Sequence, residues 1–431
     1  MSGAVILFAL FFILIIIGVP IGYSIGISAL AAFLSAGINP TVFITSSLAG
    51  SNSFTLMAVP FFMLAGSLMA TGGIAKRIVN FVNSFFGYVT GGLAIVTTVA
   101  CMFFGAISGS AVATTSAIGS FMIPEMEKHG YNKDFAATLT ASAGSVGVII
   151  PPSVPFVIYA VAVNCSVKDL FIAGVLPGIM MGIAMIIVCI VTSRKNGWRG
   201  NEGRPTLRNV WKTPMKEAIK VTLDAIPSLL LIIIVIGGIV GGIFTATEAS
   251  VVSVVYCVLV SMFVYKELTL DGLYKAVRDM VGLCGVTMFM MGFANAFSYY
   301  LSLERIPNAI AEVFLSVSDN RIIILLMINI LLLIVGCVID NIPATIILAP
   351  ILLPVVESIG VDPITFGVIL TMNLAIGFIT PPYGIDLFVA SAVSGVPIQN
   401  LCKRVLPFIG VLLIVLTLIT YVPWFTMGFI S

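Results

Sequence analysis

Two stretches of this chain repeat each other at a constant offset, and the positions that they share are mostly prolines and glycines. Proline lacks an amide hydrogen and glycine has no side chain that favours a helix, so both residues interrupt helices. The shared positions include Pro124/Pro354, Gly130/Gly360, Gly147/Gly377, Pro151/Pro381, Pro152/Pro382 and Pro177/Pro407. The chain therefore duplicates a pattern of helix breaks. Matching breaks in the two halves of an apolar protein are typical of the binding site of a secondary transporter.

The composition places this pattern in a membrane. Of the 431 residues, 60% are hydrophobic and 9% are charged, whereas a soluble domain carries about 25% charged residues. At about 20 residues per membrane-spanning helix, the apolar segments predict about ten to twelve crossings. We therefore expect one all-α polytopic protein in a lipid bilayer. The net charge of +2 and the lack of a basic stripe in the sequence give no indication of nucleic-acid binding.

The repeat divides the chain into two halves that are joined by a basic loop. We expect the first half over residues 1–193, the loop over 194–224 and the second half over 225–431. Short segments that are rich in small or polar residues predict one re-entrant hairpin in each half, because irregular backbone at membrane depth needs protein or a wet cavity around it. The hairpins are expected at about 107–130 and 338–360, and the broken helices that follow them at about 135–163 and 363–393.

Charged residues predict the orientation of the halves. The segment 194–220 holds eight basic and two acidic residues, and basic residues concentrate in cytoplasmic loops. The turn after Pro124 is basic, whereas its counterpart after Pro354 is acidic. Equivalent turns of opposite charge predict opposite faces of the membrane, and therefore inverted-topology repeats. The segment after Arg404 has no charge, which favours a periplasmic C-terminus.

The first half contains two elements that could bind a ligand. The run from Gly105 to Ser116 offers hydroxyls and carbonyls without charge at a predicted hairpin tip, and a hard cation such as sodium prefers oxygen ligands. The alternative is tight helix packing through small residues. In the second element, Pro151 and Pro152 leave carbonyls without helical partners, which a cation or neighbouring hydroxyls could satisfy.

The second half repeats both elements. Asp340 and Asn341 lie at the second predicted hairpin tip, and Thr380 precedes the proline pair of the second break. An ionisable residue within a membrane segment, such as Asp340, indicates a functional site by default. Asp386 is either functional or the structural partner of a buried donor. Because the same two-element arrangement occurs twice, we interpret it as a pair of ligand sites.

Four motifs in these segments resemble the large membrane subunit of the tripartite ATP-independent periplasmic (TRAP) transporters. They are Gly105-x-Ile-Ser-Gly-Ser, Ile123-Pro-Glu-x4-Gly-Tyr131, Ile150-Pro-Pro-Ser153 and Leu170-Phe-x-Ala-Gly-x-x-Pro-Gly178. The resemblance covers essentially the whole chain. It implies an elevator-type protein of the ion-transporter superfamily, with two inverted repeats and a moving transport domain.

The resemblance also implies the ligands. One sodium site would use Ser108, Ser110, Gly144, Val148 and Pro151, and the other Gly336, Asp340, Asn341, Gly377, Thr380 and Pro381. The substrate would lie between them, near Ser108, Ser153, Asp340, Asn341 and Tyr383. The second break reads Pro-Pro-Tyr-Gly where the first reads Pro-Pro-Ser-Val, so the substrate contacts of the second half follow the family pattern less closely.

The resulting expectation is the transport subunit of a sodium-coupled symporter in a bacterial inner membrane, and not an enzyme. It would import an organic acid, such as sialic acid or a C4-dicarboxylate, that a periplasmic binding protein delivers. A small four-helix membrane subunit would accompany it as a separate chain. One alternative is a stand-alone sodium/divalent-anion symporter. A second is a proton-translocating subunit of a redox complex, which needs a line of Lys, Glu and His that this sequence lacks.

Overall fold

The computed structural model describes residues 3–87, 89–198, 215–318 and 320–430. These residues form helices and connecting turns, and no β-strand occurs among them. The all-α fold with many apolar helices that the sequence predicts is therefore confirmed. Much of the basic loop predicted at 194–224, including Arg199, Arg204, Arg208 and Lys212, lies outside the described residues.

Ten of the described helices precede the loop. They are α1 (Gly3–Ile16), α2 (Ile21–Ser35), α3 (Pro40–Ser51), α4 (Ala58–Thr71), α5 (Ile74–Phe86), α6 (Gly92–Ser108), α7 (Ala111–Lys128), α8 (Lys133–Gly147), α9 (Val154–Val163) and α10 (Val167–Asn196). A single 3₁₀ turn over Thr55–Met57 leads into α4.

Eleven of the described helices follow the loop. They are α11 (Met215–Val240), α12 (Ala246–Leu259), α13 (Leu270–Leu303), α14 (Ile306–Val317), α15 (Arg321–Val338), α16 (Asn341–Ser358), α17 (Pro363–Gly377), α18 (Ile385–Ser394), α19 (Ile398–Arg404), α20 (Leu406–Tyr421) and α21 (Trp424–Met427). A π-helical turn over Val260–Val264 extends α12.

Short polar side chains fix where many of these helices begin. A serine, threonine, asparagine or aspartate at the N-cap accepts a hydrogen bond from a backbone amide of the first turn, which otherwise has no partner. Ser110, Asn132 and Ser153 do so at the starts of α7, α8 and α9. Asp362 caps α17, and Thr245 forms a capping box with Glu248 at α12.

The structure preserves the repeat helix by helix. The offset that relates the two stretches of sequence also relates α7 to α16 and α8 to α17, at the first and the last residue of each helix. The bonds Pro151–Pro152 and Pro381–Pro382 are both cis. The proline and glycine pattern therefore corresponds to a duplicated helical unit. The inverted orientation of the two units in a membrane stays a prediction.

The two helices that meet at each predicted hairpin tip extend beyond the predicted segments. The segment assigned to the first hairpin, 107–130, is mainly its returning arm α7, and the whole of α6 forms the other arm. In the second half, 338–360 likewise covers α16, and α15 forms the other arm. The apolar sequences of α6 and α15 have the composition of full spans, so composition alone assigns them as separate crossings.

Most of the helices pack in two groups, which contact each other where α4 and α5 pack against α6. One group contains α1 to α5 with α11 to α13, and the other contains the predicted hairpins, the broken helices and α10 with α20. Within the second group the halves interlock, because α9 packs against α16 and α18 packs against α7 and α8. The hydroxyl of Tyr159 on α9 donates a hydrogen bond to the carbonyl of Pro363 at 2.7 Å. The site elements of both halves therefore belong to one packed body.

Length and composition identify six helices among the described residues that could cross a membrane, or eight if each of two bent pairs counts as one span. Shorter apolar helices include α6, which ends at the first hairpin tip, and α9, α17 and α18, which lie beside the two proline breaks. The helices α3, α5 and α14 carry more polar residues than the spans around them, so composition alone does not identify them.

Candidate functional site

The first hairpin turns at Gly109 and Ser110, and the hydroxyls around this tip bond to one another. Ser108 Oγ lies 3.1 Å from Thr114 Oγ1. Thr114 Oγ1 donates to the carbonyl of Ser110 at 2.7 Å, and Ser110 Oγ accepts from the amide of Ala113 at 3.3 Å. Ser108 is buried and Ser110 half-buried. The tip is therefore a compact cluster of uncharged oxygens.

Two glycines bring the end of α6 against the end of α8. A methyl group added to Gly105 would lie 2.5 Å from the Cα of Gly147, which is closer than real side chains approach a backbone. At the turn itself, Gly109 has a φ of +60° and lies against Val154, the first residue of α9. Only glycine permits these approaches, so the hairpin tip lies directly against the break between α8 and α9.

This crossing gathers partial negative charge at one place. Gly105 and Gly147 lie in the last turns of α6 and α8, and the last carbonyls of a helix carry the negative end of its dipole. Because Pro151 and Pro152 have no amide hydrogen, they cannot satisfy carbonyls of the preceding turn. Two crossed helix C-termini with hydroxyls beside them form an arrangement that attracts a cation.

The second half has the same crossing. A methyl group added to Gly377, the last residue of α17, would lie 2.6 Å from the Cα of Gly336 in the last turn of α15. The break that follows is better satisfied, because the carbonyls of Gly377 and Phe378 accept hydrogen bonds from the amides of Thr380 and Asp386 at 2.9 and 3.0 Å. Fewer carbonyls are thus left for a ligand here, and side chains must supply more of the contacts.

Asp340 and Asn341 supply such side chains. Asp340 occupies the N-cap of α16 but makes no capping hydrogen bond with its side chain, and the residue is exposed. Asn341 is buried, and its Oδ1 accepts a hydrogen bond from Thr345 Oγ1 at 2.9 Å. Thr380 Oγ1 donates to the carbonyl of Ile376 at 2.7 Å. The second tip therefore presents an exposed carboxylate where the first presents hydroxyls.

The structure gives the predicted substrate residues different surroundings. Ser153 is fully buried, and its hydroxyl caps α9 by accepting from the amide of Phe156 at 3.4 Å. Tyr383 is 57% exposed and contacts the ring of Phe388. Ser108 and Ser153 come together at the first tip, because the residues next to them, Gly109 and Val154, are in contact. In this conformation Ser153 shapes the site without facing an open cavity.

Two further residues belong to this region. Thr115, on α7, lies against Gly144, and its buried hydroxyl has no hydrogen-bond partner among the described residues. Asp386, in the first turn of α18, is fully buried, and neither of its carboxylate oxygens has a partner there either. The position of Thr115 on α7, shortly after the hydroxyl-rich tip at Ser110, could have indicated Thr115 as a site residue. The sequence identified Asp386 as a candidate, but it could not show whether a hydrogen-bond donor lies beside this carboxylate.

The comparisons with known proteins agree with this architecture. The family model described as the tripartite ATP-independent periplasmic transporter, DctM component, matches residues 8–425. A solved structure, the YdaH transporter of Alcanivorax borkumensis, superposes with a TM-score of 0.64 over 90% of this chain and 88% of that chain, at 14% sequence identity. At this identity the superposition supports the fold alone.

Curated relatives match over most of the chain. The isethionate TRAP transporter permease protein DctMQ of Oleidesulfovibrio alaskensis is 41% identical over 98% of this chain, which spans 66% of that protein. The C4-dicarboxylate large permease DctM of Vibrio cholerae is 40% identical over 86% of this chain and 84% of its own length. The sialic acid large permease SiaM of the same organism is 39% identical over 91% and 90%. The chain belongs to the TRAP transporter family, as its DctM, or large permease, component.

Proposed function

We propose that this protein is the sodium-coupled transport subunit of a TRAP system that imports a small organic anion. The observation that carries the proposal is the pair of crossed helix C-termini, at Gly105 with Gly147 and at Gly336 with Gly377. Each pair lies beside a hairpin tip that is rich in oxygen atoms. Sodium binds oxygen ligands, and half-helix ends in transporters coordinate such ions.

The proposed ion sites differ in charge. The first would use the tip at Ser108 and Ser110 with the break from Gly144 through Val148 to Pro151, all uncharged. The second would use the crossing at Gly336 and Gly377 with the residues Asp340, Asn341, Thr380 and Pro381. Sodium at both sites would draw each hairpin tip onto its break. The bound ions would then favour the same compact arrangement that an anion requires, which couples the two ligands by linkage.

The substrate would bind between the tips, near Ser108, Ser153, Asn341 and Tyr383. The helices α7, α9, α16 and α18 all begin in this region, and the positive end of a helix dipole favours an anion. Relatives are named for C4-dicarboxylate, sialic acid and isethionate. These compounds share a negatively charged carboxylate or sulfonate group, which we take as the recognised feature.

The proposed partners are a small membrane subunit and a periplasmic binding protein, in agreement with the word "tripartite" in the family description. The test is uptake of radiolabelled succinate, sialic acid and isethionate into proteoliposomes from which each component is omitted in turn. We expect uptake only with an inward sodium gradient and all components. Uptake by this chain alone would support the stand-alone symporter, and uptake independent of sodium would overturn the coupling.

A further inference from the structure

Asp386 is the only described acidic residue whose side chain is fully buried. It lies in the first turn of α18, at the interface where this helix of the second half packs against α7 and α8 of the first half. Neither carboxylate oxygen has a hydrogen-bond partner within the part of the chain that the structure describes. A buried carboxylate without a donor is strongly disfavoured unless a bound cation or a proton neutralises it.

No basic side chain neutralises Asp386 in the described part of the chain. No ion pair involves it, and the titratable group that acts on its charge is the carboxylate of Asp340. Two carboxylates near each other each make the negative charge of the other less favourable. The position therefore adds a second acidic residue at the junction of the two halves, where the proposed ion sites are also located.

A second oxygen without a partner among the described residues lies between the helices against which α18 packs. Thr115 Oγ1 is buried between α7 and Gly144 of α8, and it makes no hydrogen bond there. A threonine hydroxyl and a carboxylate are both oxygen ligands of the kind that sodium binds. Buried polar atoms normally find partners, so each of these oxygens without one is a candidate ligand at the interface of α18 with α7 and α8.

We propose that Asp386 is the principal ligand of an additional sodium site between α18 and the first hairpin, with Thr115 as a candidate second ligand. This inference rests on the proposed sodium coupling and extends it. Two sodium ions at the crossed helix ends offset the charges of Asp340 and Asp386 but leave the charge of a monoanionic substrate uncompensated. A further cation balances it, and moving an uncompensated charge through a membrane is costly.

The test is equilibrium binding of radioactive sodium to the purified chain in detergent. Asp386→Asn keeps the shape of the side chain and removes its charge, and we expect it to bind one sodium ion fewer per protein at saturation. The matched control is Asp169→Asn, which changes a partly exposed aspartate in the first turn of α10 and should bind as many ions as the unchanged protein. Thr115→Val should weaken sodium binding several-fold.

The outcomes separate this inference from the proposed function. If the unchanged protein binds no sodium, the sodium coupling itself fails. If it binds sodium and Asp386→Asn binds the same number of ions, only the additional site is wrong. If Asp386→Asn binds the same number of sodium ions and its transport no longer depends on pH, the occupant is a proton, which also overturns the proposal. If Asp386→Asn does not purify as a monodisperse protein, Asp386→Ser takes its place, and an unchanged number of bound sodium ions in that variant overturns the proposal.

Discussion

Ser110 and Asp340 occupy equivalent positions in the two hairpins, at the N-caps of α7 and α16, but only Ser110 caps its helix with its side chain. The serine hydroxyl is used by the fold, because it accepts from the amide of Ala113 at 3.3 Å. The side chain of Asp340 makes no capping hydrogen bond, and the residue is exposed at the second tip. The two copies of the duplicated unit therefore differ at the tip, because the hydroxyl of Ser110 caps its helix and the carboxylate of Asp340 does not.

This difference predicts that substitutions at the two positions affect stability unequally. Ser110→Ala should lower the stability of the protein by about 1 kcal/mol, the usual effect of removing an N-cap. Asp340→Ala removes no capping hydrogen bond and should leave the melting temperature in sodium-free buffer almost unchanged. Thermal unfolding of both variants in detergent checks the difference. An equal loss of stability in the two variants would show that Asp340 has a structural role.

Transport should depend on Asp340 although stability does not. Asp340→Asn and Ser108→Ala should each abolish sodium-driven uptake while the protein still inserts into the membrane, because each removes an oxygen ligand from one proposed ion site. The control is Glu357→Gln, which changes an exposed carboxylate near the other end of α16 and should transport normally. Normal uptake by both site variants would exclude the assignment of the ion sites.

The helix crossings should tolerate no side chain. Gly105→Ala places a methyl group 2.5 Å from the backbone of Gly147, so the helices must separate, and overpacking of this kind costs about 1–3 kcal/mol. We expect a lower melting temperature and weaker sodium binding. Gly410→Ala, in α20, is the control because no atom lies within 4 Å of its added methyl group. A melting temperature for Gly105→Ala that equals that of the control would contradict the close crossing.

Arg77 joins α5 to α11 and to the segment that follows α12. Its guanidinium pairs with Asp224 at 3.1 Å and Glu267 at 2.7 Å, and it lies 3.6 Å from the ring centroid of Tyr265. Arg77→Met should lower stability by about 1–3 kcal/mol, since partly exposed ion pairs contribute little each and the cation–π contact adds to them.

Melting temperatures at low and high salt measure this contribution. The loss caused by Arg77→Met should shrink at high salt, because salt screens the two ion pairs of the unchanged protein. Arg278→Met, at an exposed arginine of α13, is the control and should change the melting temperature little. An Arg77→Met protein as stable as this control would show that the cluster does not hold α5 in place.

Local rules are enough to predict much of this fold from the sequence. The breaks at Pro151–Pro152 and Pro381–Pro382 follow from proline chemistry, and the broken helices begin and end within a few residues of the predicted 135–163 and 363–393. The hairpins are harder to predict. The helices α6 and α15 have the composition of independent spans, and only the structure shows that they pack against α8 and α17.

The candidate site is predictable in part for the same reason. Its residues on the tips and breaks are identifiable because glycine, proline and hydroxyl residues cluster in the sequence. What composition cannot show is which polar atoms remain free. Ser153 uses its hydroxyl to cap α9, whereas Thr115 and Asp386 have no partner among the described residues. That distinction depends on contacts between helices that are far apart in the chain.

The most direct test of the account is accumulation of substrate against its concentration gradient in proteoliposomes that contain the complete transporter. An inward sodium gradient should drive transient accumulation, and an equal potassium gradient should not. Sodium-driven accumulation that disappears in Asp340→Asn and persists in Glu357→Gln is the predicted result. Accumulation that is equal in sodium and potassium, or that Asp340→Asn retains in full, would contradict sodium coupling at the paired hairpin tips.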